Sequence, residues 1–186
     1  GINWTCTMDV SIRAINWLLA LKAIESGVAK EFDSLIQSAY SAIFEHGNFI
    51  FQNLEDTYEV TSNHYLSNIT GLFYIGILFE KTKRGARWLK FAKDALEKEI
   101  LVQVLPDGAD FESSVAYHRL VTELFFGPAR LAQLNNCPFS NKYIHRIEDM
   151  MEVLASVLRP DGKLPQVGDA DDGRLHIFTD YFYWLP

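Results

Sequence analysis

The 186 residues are 48% hydrophobic and 13% aromatic, enough for one domain or a large piece of one with a packed core, and unlike a disordered chain. A net charge of −7 argues against a nucleic-acid binder, which carries a basic face. The longest apolar stretch, Ile69–Phe79, is interrupted by Thr70, Gly71 and Gly76 and falls short of the roughly 20 residues that cross a bilayer.

Taken in chain order, the hydrophobic spacing predicts six helices. They cover about Met8–Ser26, Lys30–Asn53, Asn63–Phe79, Lys83–Val104, Ser113–Asn135 and Asn141–Leu158. Ser or Asp precedes several starts and Gly or Pro follows several ends, as capping chemistry expects. Pro128 is expected to kink or split the fifth helix, because it lacks an N–H and crowds the preceding turn.

The helices alternate in character. The second, fourth and sixth are amphipathic, with stripes at Phe32, Leu35, Ile36, Ala39, Ile43 and Ile50, at Trp88, Leu89, Ala92, Ala95 and Leu96, and at Ile144, Ile147, Met151, Leu154 and Leu158. The first, third and fifth are apolar nearly all round, which predicts burial on every side. Inner helices alternating with outer ones describe a double layer of αα-hairpins. The inner helices recur at a spacing typical of paired-helix repeats, which form superhelices or closed rings. Three hairpins make about half of a ring. Residues 176–184 are rich in aromatics and read as the start of another hairpin.

Links from inner to outer helices are short. Links from outer to inner helices, Leu54–Ser62, Leu105–Glu112 and Arg159–Arg174, are longer and polar. The long loops and the N-termini of the inner helices therefore share one end of the layer. Long loops on a rigid scaffold carry function, and helix N-termini favour anions.

Two polar stretches lie at that end: Asn63-His64-Tyr65, and Glu112-Ser113-Ser114-Val115-Ala116-Tyr117-His118-Arg119. Each residue also has a plain structural reading. Asn63 can cap a helix, Tyr117 can sit in the core with its hydroxyl at the edge, and Arg119 can pair with Glu112 or Glu123 or grip a ligand carboxylate. Asp107-Gly108 and Asp161-Gly162 are turn chemistry. Residues 166–174 resemble a calcium loop only loosely, without its ligand spacing or final Glu, so no metal or other cofactor is expected. Cys6 and Cys137 can pair or stay free. Asn3-Trp4-Thr5 and Asn68-Ile69-Thr70 fit the glycosylation pattern, the second inside an apolar helix, where chance explains it better. The chain starts at Gly1 and shows no signal peptide, so an export signal would have been removed or lie outside it.

The stretch Ser62–Asn68 resembles the Asn-His block of the heparinase II/III-like polysaccharide lyases, a group with alginate-lyase-like relatives. Asp107–Leu120 is similar to their Asp-Gly…Glu…Tyr-His block, and Trp4–Val10 and Gly168–Arg174 resemble further blocks. The resemblance implies an all-α fold, an αα-hairpin array forming part of an incomplete α/α toroid. Residues 1–186 would be a fragment of that single toroid domain, with a β-sandwich domain downstream. It also implies a periplasmic or secreted protein. Tyr117 would be the catalytic acid, and in some members also the base. Asn63, with His64, would neutralise a uronate carboxylate. Beside the residues that the resemblance assigns, Glu112, His118, Arg119 and Arg174 lie in or near the same polar stretches and are candidates to bind the substrate, an anionic polysaccharide or oligosaccharide. A further catalytic His usually comes from a later part of such proteins and has no match in this chain.

The chemistry suits these groups. Removing C5–H beside a uronate carboxylate adds charge next to an existing anion, and donors on that carboxylate make the developing anion less unfavourable. A base takes the proton and an acid protonates the departing oxygen at C4. Two other readings stand beside elimination. One is a glycoside hydrolase with Asp110, Glu112 and Asp169 as carboxylates. The other is a non-catalytic glycan-binding or polysaccharide-assembly toroid.

Overall fold

The computed structural model describes residues 1–25, 32–57, 59–169 and 173–177. A 3-10 turn, Ile2–Trp4, leads into six α-helices: α1 (Thr7–Glu25), α2 (Asp33–Gln52), α3 (Asn63–Leu78), α4 (Lys83–Gln103), α5 (Val115–Leu134) and α6 (Asn141–Val157). No strand occurs among the described residues, where only an isolated bridge joins Val104 to Asp110. The sequence-predicted helices agree with these to within about three residues at each described end. The predicted start of the second helix at Lys30, the end of the first at Ser26 and most of 176–184 lie outside the described residues.

The helices form two layers. Hairpins α1–α2, α3–α4 and α5–α6 pack side by side, with α3 between α1 and α5 in the inner layer. The middle position explains the burial of α3: from Tyr65 to Gly76 every residue is buried. Close helix approach depends on residues without side-chain bulk. A Cβ added at Gly71 would lie 2.8 Å from Ser11 Cβ on α1, and one at Gly76 would lie 2.7 Å from Leu89 N on α4.

Three expectations need correction. The first and fifth helices are not buried on every side: Trp17 on α1 is 46% exposed and Leu134 on α5 is 64% exposed. These helices flank α3, and an apolar side chain is buried only where a neighbour covers it. The stripe of α2 is covered only in part, with Phe32 and Leu35 exposed and Ile43 and Ile50 fully buried. In α6 the buried face centres on Tyr143, Ile147 and Met150, turned slightly from the predicted stripe, whose Met151 and Leu158 are exposed. Tyr143 draws the helix round. Its ring stacks on Phe139 at 4.2 Å between centroids.

Pro128 does not split α5, which runs unbroken from Val115 to Leu134. Proline withholds the N–H that would bond the Leu124 carbonyl four residues earlier. Thr70 Oγ1 of α3 donates to that carbonyl instead (3.1 Å), and Tyr143 OH of α6 donates to the next one, Phe125 O (3.0 Å).

Candidate active site

The inner helices α3 and α5 begin with matching caps. Ser62 Oγ accepts from His64 N, and Ser114 Oγ accepts from Tyr117 N, both at 3.4 Å. Such caps satisfy N–H groups that the helix itself cannot. Glu112 joins the two helix ends. Its Oε1 accepts from Asn63 N (3.0 Å) and from Asn63 Nδ2 (2.9 Å), and its Oε2 accepts from Nδ2 as well (2.9 Å). A carboxylate only accepts, so these bonds fix which way the Asn63 amide faces. The charge also lies at the N-terminus of α3, where the helix dipole favours an anion. Asn63 is 5% exposed.

His64 is turned outward, its side chain 49% exposed, with Nδ1 3.1 Å from Glu55 Oε1. Glu55 is fixed on its other side. Its Oε2 accepts from Met8 N and Asn68 Nδ2, each at 3.0 Å, and its own N–H donates to Asn68 Oδ1 at 2.8 Å. The Cys6 thiol lies 4.0 Å from Glu55 Oε1. Burial pushes that thiol up from its ordinary pKa, and the charges of Glu55 and Asp9 add to the rise, while the backbone N–H groups of Asp9 and Met8 oppose it. Neither Cys6 nor Cys137 is in a disulfide. Asn68 is fully buried, which fits the reading of its glycosylation pattern as chance.

The Tyr-His-Arg stretch divides by burial. Tyr117 is half-buried on the first turn of α5 and packs against the core. His118 is buried and has both ring nitrogens engaged. Nδ1 accepts from Asp110 N, so the proton sits on Nε2, which donates to Met150 O; both contacts are 3.0 Å. Burial lowers its pKa, against the pull of the Met150 carbonyl. His118 thus ties the Val104–Ser114 loop to α6 beneath the site. Arg119 pairs with Glu123 rather than Glu112, at 2.7 Å, and donates to Gly173 O at 2.7 Å. Arg174 is half-buried in the same crossing segment, whose Leu175 N–H donates to Glu123 Oε2 (3.0 Å).

Asp110 is 3% exposed, and neither carboxyl oxygen has a hydrogen-bond partner. Burial is the main cause that raises its pKa to about 7; the Glu112 charge adds to it, and the backbone N–H groups of Glu112 and Phe111 pull the other way. It is enclosed too deeply to reach a glycosidic oxygen. Asp169 is exposed, and its carbonyl accepts from Ser114 Oγ (2.6 Å). The preceding Gly168 has φ +78°, and a Cβ there would meet Ser113 O at 2.8 Å, so the loop closes on the start of α5 only with glycine. Ser113, between Glu112 and the cap, also has a left-handed φ of +58°, a strained choice for a non-glycine residue. Both Asp-Gly stretches form turns: Asp107 Oδ1 accepts from Ala109 N and Asp161 Oδ1 from Lys163 N, each at 3.1 Å. Residues 170–172 of the loosely calcium-like stretch lie outside the described residues.

Sequence reasoning missed Glu55, which has no periodic signal and takes its role from a contact across nine residues to His64. It also missed Glu99, a buried acid on the apolar face of α4, where a polar residue in a hydrophobic stripe is the available clue. Glu99 accepts from Thr61 Oγ1 and from Gln103 Nε2, and Gln103 Nε2 also reaches Ser62 O (3.3 Å), bracing the start of α3.

Comparison with known proteins fits this arrangement. A heparin-sulfate lyase of Bacteroides stercoris is 33% identical over 130 residues, 68% of this chain and 20% of the relative. The solved structure of the heparinase III BT4657 gene product superposes with a TM-score of 0.68 at 26% identity, covering 86% of this chain and 24% of that one. A further heparinase III crystal structure reaches a TM-score of 0.73 at 20% identity, covering 87% and 25%, a likeness of fold. The chain thus spans about a fifth of its curated relative. The helical array is that of part of the heparinase III α/α toroid. The family described as Heparinase II/III N-terminus matches residues 2–185, so this chain belongs to the heparinase II/III family of polysaccharide lyases.

Proposed function

We propose that the whole protein cleaves a uronate-containing glycosaminoglycan by β-elimination, and that the joined N-termini of α3 and α5 supply part of the site. The observation that carries this reading is the Glu112 carboxylate held in the grip of Asn63. Asn63 donors that already engage one carboxylate support a role in engaging another. A uronate carboxylate competes with Glu112 for those donors, and His64, the exposed neighbour, offers its Nε2 edge from the same turn. Donors aimed at the carboxylate stabilise the anion that forms when C5–H is lost. Tyr117, one turn into α5, donates its phenolic proton to the departing O4 and is available as base in its ionised form. The phenol begins near pKa 10, so the basic role needs donors or cations around it. Arg174 and Arg119 contribute positive charge towards an anionic chain.

The test uses the full-length protein with a panel of uronate-containing glycans. Elimination produces an unsaturated uronate with ultraviolet absorbance. Tyr117→Phe is expected to lower the rate by about 10²–10⁴-fold, the usual worth of a positioned acid–base group, with unchanged circular dichroism. A Tyr117→Phe protein at full rate removes Tyr117 from the mechanism. New reducing ends without the chromophore indicate hydrolysis instead, and binding without product across the panel indicates a non-catalytic toroid.

A further inference from the structure

Three segments bring a thiol, a carboxylate and an imidazole to one point. Cys6 comes from just before α1, Glu55 from the α2–α3 loop and His64 from the first turn of α3. One ligand atom from each lies within 4.8 Å of the others. His64 Nδ1 and Glu55 Oε1 are 3.1 Å apart, and Cys6 Sγ and Glu55 Oε1 are 4.0 Å apart. We propose that Cys6, Glu55 and His64 form a binding site for a borderline-soft divalent metal ion, with Zn²⁺ the best match, whose fourth position opens to solvent.

The chemistry of the donors selects the ion. Calcium and magnesium take oxygen ligands, whereas thiolate and imidazole together with one carboxylate suit zinc. The geometry is close to what zinc needs. Bonds of about 2.3 Å to sulfur and about 2.0–2.2 Å to nitrogen and oxygen, arranged tetrahedrally, separate the ligand atoms by about 3.3–3.6 Å. The thiol and the half-exposed His64 ring reach that spacing by small side-chain adjustments from separations that are all within 4.8 Å. The carboxylate needs no adjustment to present one oxygen. Met8 N–H and the Asn68 amide hold Glu55 Oε2, and Asn68, itself fully buried, is held in turn by Glu55 N–H. Oε1 is thereby aimed at Cys6 and His64. Outer partners of this kind orient metal ligands and sustain affinity.

Binding removes the Cys6 thiol proton to solvent and seats the ion on Nδ1 of His64, leaving the ring proton on Nε2. The ion also clasps the start of α1 to the start of α3, so it stabilises the folded state by linkage. These effects are read without any glycan, so the metal site and the lyase reading stand or fall separately.

The test is titration of the full-length, metal-stripped protein with Co²⁺, whose thiolate complexes have a near-ultraviolet charge-transfer band. The expected result is a saturable band with tetrahedral visible absorption, lost on addition of Zn²⁺, which also raises Tm. Cys6→Ser is expected to abolish the band and Cys137→Ser to retain it. Loss of a supporting partner alone costs a metal site roughly 10–100-fold in affinity, so His64→Ala, at an exposed position that tolerates truncation, is expected to weaken Co²⁺ binding by at least about 100-fold with the fold intact. No thiolate band in the wild-type protein, a band that persists in Cys6→Ser, or unchanged affinity in His64→Ala overturns the proposal.

Discussion

Asn63 already engages a carboxylate within the fold. Its backbone and side-chain donors are all engaged by Glu112, and the same loop buries a second acid, Asp110, whose oxygens face the backbone N–H groups of Glu112 and Phe111 without a well-formed hydrogen bond. Ionising Asp110 is therefore costly. A carboxyl pushed up to about 7 from an ordinary 3.8 corresponds to up to about 4 kcal/mol of lost stability once ionised, at about 1.4 kcal/mol per pH unit. The sign follows from proton binding: the folded form holds the proton more tightly, so stability is fullest below the unfolded value and falls as pH rises from about 4 through about 7. The buried His46 and His118 and the half-buried His176 titrate in the opposite sense, since desolvation lowers each of them. Comparing Asp110→Asn with the wild type cancels that background. The variant is expected to gain stability relative to the wild type at pH 8 and to gain little at pH 4, as measured by urea unfolding; an equal difference at both pH values refutes the burial cost. At this scale the identity of Asn63, His64 and Tyr117 as interesting residues was legible in their position at helix starts. Their partners were not. The bonds from Asn63 to Glu112 and from His64 to Glu55 cross 49 and nine residues, and no local spacing encodes them.

Helix positions were legible nearly to the residue, because capping and hydrophobic period are local. Ser62, Thr82, Ser114 and Ser140 each cap a helix through the side chain. That α5 runs unsplit through Pro128 has a reason that belongs to packing. The sequence shows the missing N–H but not the Thr70 hydroxyl that arrives from another helix to satisfy Leu124 O. Thr70→Val keeps the shape and removes the donor. It is expected to cost about 1–3 kcal/mol, the price of a buried unsatisfied carbonyl. With Pro128→Ala in the background, the restored N–H supplies the bond, and the cost of Thr70→Val is expected to shrink. A double-mutant cycle by chemical denaturation measures the coupling; a cost that does not depend on residue 128 refutes the exchange of donors.

At the scale of the whole molecule, two layers of helices hold the site because α3 fits tightly between its neighbours. Gly76 faces the backbone of Leu89, and a methyl there would meet N at 2.7 Å and Cα at 2.8 Å. Backbone atoms cannot turn away as a side-chain tip can. Gly76→Ala is therefore expected to push α3 from α4 and cost about 1–3 kcal/mol, read as a lowered Tm; an unchanged Tm shows that the layer has slack. The same packing decided which apolar surfaces were covered. Trp17 and Leu134 look like core residues in a list of hydrophobic positions and are exposed within this chain, where α1 and α5 each have an inner-layer neighbour on one side only. The amino-acid sequence by itself determined the helices, their alternation and the end of the array that carries the polar motifs, since caps and periodicity act within a few turns of chain. Only the tertiary structure decided that Glu112 holds Asn63, that His118 is spent beneath the site, and that Cys6, Glu55 and His64 meet, since those contacts join residues that come together only when the layers pack.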